Sequence, residues 1–198
     1  MATKKRIAII DGHPDGREGR YIHALASSYA EGARAAGHEV ITLTLGNLDI
    51  PLLRRAQDFN SNQVPPVVRT FQKTLGGADH WVILYPLWLG SMPALLKGFF
   101  EQTLRPGFAF APAGSKNGMP RKLLKGKSAR IIVTMGMPAL FYRWYFRAHS
   151  LKSLERNILR FCGIAPVRST VVGMVENKSR KQRAACLEEV RALGEQAR

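Results

Sequence analysis

Short apolar runs alternate with segments of helical period from one end of the chain to the other. Residues 7–10 (Ile-Ala-Ile-Ile) read as a buried strand, and the β-branched run 40–43 reads as a second. Residues 81–85 (Trp-Val-Ile-Leu-Tyr) give the strongest central-strand signal, and 130–134 and 167–175 bring the set to five. Residues 21–36 are rich in alanine, with apolar positions at Tyr21, Ile22, Leu25, Tyr29 and Ala33; Gly37 stops the run, which predicts a helix. Further helices are predicted over 67–75 and over 92–104, where Pro93 sits near the start and its missing N–H does no harm. One long helix is predicted over 140–161, and a charged amphipathic helix over 179–197. Residues 46–66 and 111–125 have the composition of loops, and Phe108-Ala109-Phe110 alternates like a short strand. Strand then helix, repeated five times without an internal repeat or a linker, predicts one doubly wound α/β domain over 1–198. Its five-stranded parallel sheet would carry helices on both faces.

Composition adds bounds. The chain has 198 residues, near one domain on a prior of roughly 100–200 residues each. At 45% hydrophobic and 22% charged it is globular rather than disordered. Charge is the outlier: 30 Lys and Arg against 14 Asp and Glu give a formal +16, which implies anionic partners. Cys162 and Cys186 are the two cysteines, so a disulfide framework and a structural zinc site are excluded and a reducing cytoplasm is expected. The apolar run after the basic start is shorter than the roughly 7–15 residues of a signal peptide. The uncharged run 81–96, broken by Pro86 and Pro93, is shorter than the about 20 residues a bilayer span needs.

In a doubly wound sheet, ligands bind beyond the carboxyl ends of the strands, where strand order reverses. Three predicted loops leave such ends: 11–19, 86–91 and 135–139. The first runs from strand to helix, so its glycines allow close backbone approach and the helix start offers N–H groups to an anion. It has neither the Gly-Lys-Ser/Thr of a P-loop nor the G-x-G-x-x-G spacing, which argues against a nucleoside triphosphatase. His13 and Arg17 can both donate to a phosphate; a plain glycine turn is the alternative. The second loop sets bulky apolar groups at a ligand edge. Either they clasp a flat hydrophobic ring or Trp88 and Leu89 belong to the core.

Three stretches then act together. Gly12-His13-Pro14, Pro86-Leu87-Trp88-Leu89-Gly90-Ser91-Met92-Pro93-Ala94-Leu95-Leu96-Lys97-Gly98 and Arg105-Pro106-Gly107-Phe108-Ala109-Phe110 resemble the flavodoxin-like NAD(P)H:quinone oxidoreductases in order and spacing. The resemblance implies a flavodoxin-like fold and a flavin, FMN with FAD as the alternative, with NAD(P)H as electron donor. It implies that His13, Arg17, Arg20 and Tyr21 line the flavin phosphate, Arg17 standing where many relatives carry a serine. Pro86, Leu87, Trp88, Leu89 and Gly90 would hold the ring system, and Thr134, Met135, Gly136 and Met137 would flank its other side. Phe108, Trp88 and Tyr142 would line a slot for the quinone. Tyr142 and His149 match, in local order, a tyrosine and a histidine that serve some relatives as proton donors or charge stabilisers. An aromatic helix packed on the core or on a partner subunit is the other reading of that stretch. The implied reaction is ping-pong hydride transfer, in which NAD(P)H gives up its hydride and the oxidised nucleotide leaves before a quinone or related electrophile enters the same pocket. A homodimer is implied too, with the 140–161 helix as a candidate contact.

No acidic residue lies between Glu101 and Glu155, while ten Lys or Arg do, Lys116 among them. The run reads as a solvated basic face, as an attractor of NAD(P)H phosphates, or as a weak contact with anionic membrane, where lipid quinones lie. Nucleic acid is not expected, because no recognised binding module is present. Two function classes follow: a flavin-dependent reductase, or a regulatory flavin-binding subunit like the ancillary proteins of potassium-efflux systems.

Overall fold

Within β1 (Arg6–Asp11), Ile7 and Ile9 face one side of the sheet and Ala8 and Ile10 the other, because successive side chains on a strand alternate. The computed structural model, which describes residues 3–61, 63–111 and 120–197, carries this alternation through every central strand. After β1 come α1 (Tyr21–Ala35), β2 (Glu39–Thr44), α2 (Ala56–Asn60), α3 (Pro66–Gly77), β3 (His80–Pro86) and α4 (Ala94–Thr103). The two-residue strands β4 (Phe110–Ala111) and β5 (Arg121–Lys122) precede β6 (Ser128–Thr134), α5 (Ala139–Trp144) and α6 (His149–Ser153). A π-helical segment Leu154–Leu159, α7 (Arg160–Cys162), β7 (Val167–Val172) and α8 (Arg180–Glu195) complete the order. The main sheet runs β2-β1-β3-β6-β7, and each neighbouring pair is parallel. Strand order therefore reverses between β1 and β3, which is where a doubly wound sheet opens a crevice.

Two cores result. Trp81, Ile83, Tyr85, Ile131 and Val133 pack with Phe71, Leu75, Leu96 and Phe99 of α3 and α4. On the opposite face Val82, Leu84 and Ile132 meet Ile22, Leu25, Tyr29 and Ala33 of α1. There α1 and α8 are in close contact: a Cβ at Gly32 would stand 2.1 Å from the Arg191 carbonyl, and one at Gly194 would stand 2.2 Å from that of Tyr29. Ser28 Oγ adds a 2.7 Å bond to the Leu187 carbonyl. Ser179 caps α8 with a reciprocal bond to Gln182. No helix among the described residues is long and apolar enough to cross a membrane.

The structure departs from the sequence expectation in three places. The long helix predicted over 140–161 is broken at 145–148, where Arg147 and Ala148 both adopt left-handed backbone (φ 50 each). Tyr142 accounts for the break: its carbonyl accepts from Ala148 N–H at 3.1 Å, and its buried hydroxyl meets Ser150 Oγ at 2.8 Å and Leu151 N–H at 3.3 Å. The loop expected over 46–66 contains α2, held by the buried Arg105, whose Nη1 donates to the Asp58 carbonyl at 2.8 Å. The strand expected at 108–110 shrinks to β4, paired antiparallel with β5. Lys116 and most of the loop between them lie outside the described residues.

Candidate active site

The carboxyl end of β1 closes on Asp11, only 2% exposed. A carboxylate there needs donors. His13 N–H reaches its Oδ1 at 3.2 Å, and His23 Nδ1 pairs with its Oδ2. The other ring nitrogen of His23, Nε2, lies 2.9 Å from the Asp15 carbonyl, so both nitrogens of this ring face acceptors. His13 packs edge-on to His23, with centroids 5.4 Å apart, and accepts the Asp15 N–H at Nδ1 (3.0 Å). Burial first, then the neighbouring His23, pushes the His13 pKa below the ordinary imidazole value.

Asp15 gathers the cations of this loop. Arg17 grips it through Nε at 2.9 Å and Nη2 at 2.8 Å, while Arg20 bonds the same carboxylate through Nε at 2.9 Å and through Nη2. The Arg17 contacts hold the Asp15 carboxyl well below the usual carboxylate range. Arg20 occupies the N-cap of α1 without supplying a side-chain cap, leaving first-turn N–H donors to other acceptors. Tyr21, the first residue of that helix, donates its hydroxyl to the Arg183 carbonyl at 3.2 Å and lies under the Arg183 guanidinium, 5.6 Å from ring centroid to Cζ. A cleft of about 740 Å³ runs from the loop along α1, past Arg20, Ser27, Arg34, Thr44 and Asn47.

The second loop joins the first through Trp88, whose ring stands edge-on to His13 at 5.7 Å. Trp88 and Ser91 exchange two backbone bonds of 2.9 Å, which makes a tight turn with Leu89 (φ 45) and Gly90 (φ 76) at its tip. Trp88 is 49% exposed and Leu89 wholly exposed, so neither is a core residue. The third loop is tied in where Leu87 N–H donates to the Thr134 carbonyl at 2.8 Å. Pro86, Leu87 and Met137 are half-buried around this junction, and Gly136 is exposed.

Several predicted residues sit elsewhere. Met135 is buried in the core on the α3–α4 side of the sheet, with its backbone bonded to Val172 and Val175. Tyr142 is 2% exposed and spends its hydroxyl on Ser150 and Leu151, which makes it a pin of the chain break rather than an open proton donor. His149 is exposed just beyond that break. Phe108 lies against Gly76, near the start of β3, whereas Trp88 lies past its end; a seven-residue strand separates them by roughly 20 Å. Phe108 and Trp88 of one chain, expected with Tyr142 in a quinone slot, therefore stand at opposite ends of β3.

Sequence reasoning missed Asp11, Asp15 and His23. The signal was present: an aspartate ending an otherwise apolar strand has to find a buried partner. Tyr85, which comes just before Pro86, is a further omission; its hydroxyl is buried without a partner and burial pushes its pKa up.

The family profile described as a flavodoxin-like fold matches residues 5–193. The chain belongs to this flavodoxin-like family. Among curated relatives of this flavodoxin-like protein, an uncharacterized NAD(P)H oxidoreductase of Haemophilus influenzae is 27% identical over 180 residues, 87% of each chain. Several quinone dehydrogenases match too, but over only about half of their own length. A glutathione-regulated potassium-efflux ancillary protein of Escherichia coli is 38% identical over 68 residues, 33% of each chain. An NAD(P)H:quinone oxidoreductase from Methanothermobacter marburgensis shares the fold with TM-score 0.81 at 21% identity, covering 98% of this chain and 96% of that one. An FMN-dependent NADH-azoreductase from Bacillus anthracis, solved with FMN, gives 0.72 at 17% identity, with 96% and 97% covered.

Proposed function

We propose that this chain is a flavin-dependent NAD(P)H oxidoreductase that reduces quinones or related electrophiles, working as one unit over 1–198 in the cytoplasm and as a homodimer. The observation that carries the reading is the edge-on contact of His13 with Trp88, which joins a cation-bearing loop to an apolar rim in one crevice. The residues fit a flavin. Two guanidiniums and the uncapped start of α1 suit a phosphate, and the half-exposed indole with the open tip at Leu89 and Gly90 suits a flat ring. When bound, the flavin supplies the two-electron chemistry between NAD(P)H and the acceptor.

The chain's own residues bind and position. Arg17 and Arg20 hold anionic groups, and Asp15 keeps both guanidiniums at the loop until a phosphate arrives. The Asp11–His23 pair fixes the loop backbone through His13 N–H and the Asp15 carbonyl. Trp88 and Leu89 exclude water from one face of the ring. FMN is the preferred form. The cleft along α1, with Arg34, Thr44 and Asn47, favours FAD as a second reading, because it offers polar room beyond the phosphate loop.

An anaerobic absorbance titration tests the proposal. The flavin-loaded protein should lose its oxidised bands on NADPH addition and regain them with a quinone. Retained flavin that no nicotinamide reduces would move the protein to the regulatory class, for which the partial likeness to a potassium-efflux ancillary protein is the support. Loss of flavin from every preparation would end the reading.

A further inference from the structure

On a chain of net +16, the loop expected to hold a phosphate is not itself basic. Residues 11–20 carry three carboxylates (Asp11, Asp15 and Glu18) against the two guanidiniums of Arg17 and Arg20, which leaves one negative charge in excess. Asp15 takes both guanidiniums, and His13, held below the ordinary imidazole value, adds no charge at neutrality. The remaining basic group is His23. Its Nδ1 pairs with Asp11 Oδ2 and its Nε2 lies 2.9 Å from the Asp15 carbonyl. Both neighbours are acceptors. A neutral imidazole has one N–H and would turn a lone pair on an oxygen, whereas an imidazolium donates to both. His23 also stands in the first turn of α1, where the helix dipole disfavours a cation and no acidic residue of that turn offsets it. The buried Asp11 carboxylate is what holds the charge there. Two imidazoles 5.4 Å apart are thus divided into a charged one and a neutral one.

We propose that His23 is a positioning residue whose imidazolium cancels the negative excess of the phosphate loop, so that the flavin phosphate is held while both ring nitrogens carry protons and is let go when one proton leaves. The inference rests on the flavin reading of the crevice. The groups that face His23 are Asp11 from β1 and Asp15, His13 and Arg20 from the loop. The cleft it helps to line also carries Glu18, Glu31, Arg34 and, from α8, Arg183, while β2 contributes only the hydroxyls of Thr42 and Thr44. Losing the proton acts twice in one direction. The loop regains its negative excess beside a phosphate dianion, and one of the two acceptors loses the N–H that fixed it. If the Asp15 carbonyl is released, the residue that gathers Arg17 and Arg20 is released with it. Flavin affinity therefore falls as pH rises.

The test begins on the flavin-free protein with nitrogen-15 in its histidines. At neutral pH both ring nitrogens of His23, assigned by their absence in His23→Gln, should show the shifts of protonated nitrogens, and raising the pH should convert one of them. FMN affinity is read by fluorescence quenching at fixed ionic strength over the same range, where the FMN phosphate is a dianion. It should fall at least about tenfold, with the midpoint of the nitrogen signal. Riboflavin, which has the ring system without the phosphate, should bind equally before and after that midpoint. His23→Gln should bind FMN weakly at every pH, and His23→Lys, which keeps the cation, should recover affinity and lose the pH dependence. A single protonated nitrogen on His23 at neutral pH, with the proton on Asp11 instead, would overturn the proposal. So would an FMN affinity that stays flat through the midpoint, or a riboflavin affinity that falls in parallel; each leaves the reductase reading standing. A protein that binds neither compound at any pH would end the reductase reading, and this inference with it.

Discussion

The two ends of the sheet each hold a pair of histidines and treat them in opposite ways. At the carboxyl end His23 has a carboxylate on one ring nitrogen and a carbonyl on the other, and His13 shares an aromatic cluster with the half-exposed Trp88. At the amino end His38 and His80 are buried, and each leaves Nε2 without a hydrogen-bond partner. His80 bonds Ser128 Oγ at 2.7 Å, but the charges that act on it are the cations Lys5, Arg130 and Arg168. Burial, aided by those cations, pushes its pKa down to about 3. One residue type thus marks a site where carboxylates answer it and a neutral structural core where they do not.

Acid should produce the largest break in this comparison. Folded His80 stays neutral to about 3, whereas the unfolded chain protonates it near 6.5. Between those values the unfolded state binds the extra proton, so stability is complete above pH 6.5 and is lost as pH falls toward 3. The loss should reach about 1.4 kcal/mol per pH unit, on the order of 5 kcal/mol over the whole window. Urea midpoints between about pH 7 and pH 4 measure it. His80→Gln should flatten the slope; an unchanged slope would place the acid sensitivity elsewhere.

At the other end the decisive group is the carboxylate. Asp11→Asn strips His23 of its anion and should cost about 3 kcal/mol in urea unfolding. A cost under about 1 kcal/mol would show that the pair is not what holds the loop. Trp88→Ala should weaken flavin binding about tenfold in a fluorescence titration, with melting nearly unchanged because the indole is half-exposed. If flavin content and melting both stay put, the ring lies elsewhere. Tyr85→Phe removes an orphaned hydroxyl and should stabilise by about 1 kcal/mol in thermal melts. A loss of flavin affinity instead would reveal a partner supplied by the cofactor. Arg17→Ala should leave stability nearly unchanged, since its pair with Asp15 is exposed, yet weaken flavin phosphate binding severalfold.

The strands were legible because burial on both sheet faces leaves continuous apolar runs such as Ile7 to Ile10 and Trp81 to Tyr85. The three loops were legible for the same reason, since each begins where such a run ends. The break inside 140–161 was not. Helical periodicity is satisfied on both sides of it, and the cause is one tyrosine choosing backbone partners six to nine residues away. The distance of Phe108 from Trp88 within one chain was not legible either, because proximity in a motif says nothing about which end of a strand the chain has reached. His23 and His80 show the same limit: sequence gives the imidazole, and only packing gives its neighbours.

The clasp between α1 and α8 carries a consequence for the order of events at birth. The loop that gathers Arg17 and Arg20 is among the earliest parts of this sequence to be made, but the guanidinium that lies over Tyr21 belongs to Arg183. Gly32 and Gly194, which let the two helices touch, are separated by most of the chain. A growing chain therefore exposes a half-built crevice until α8 has left the ribosome, because the first strand-to-helix turn is closed by a helix made about 160 residues later.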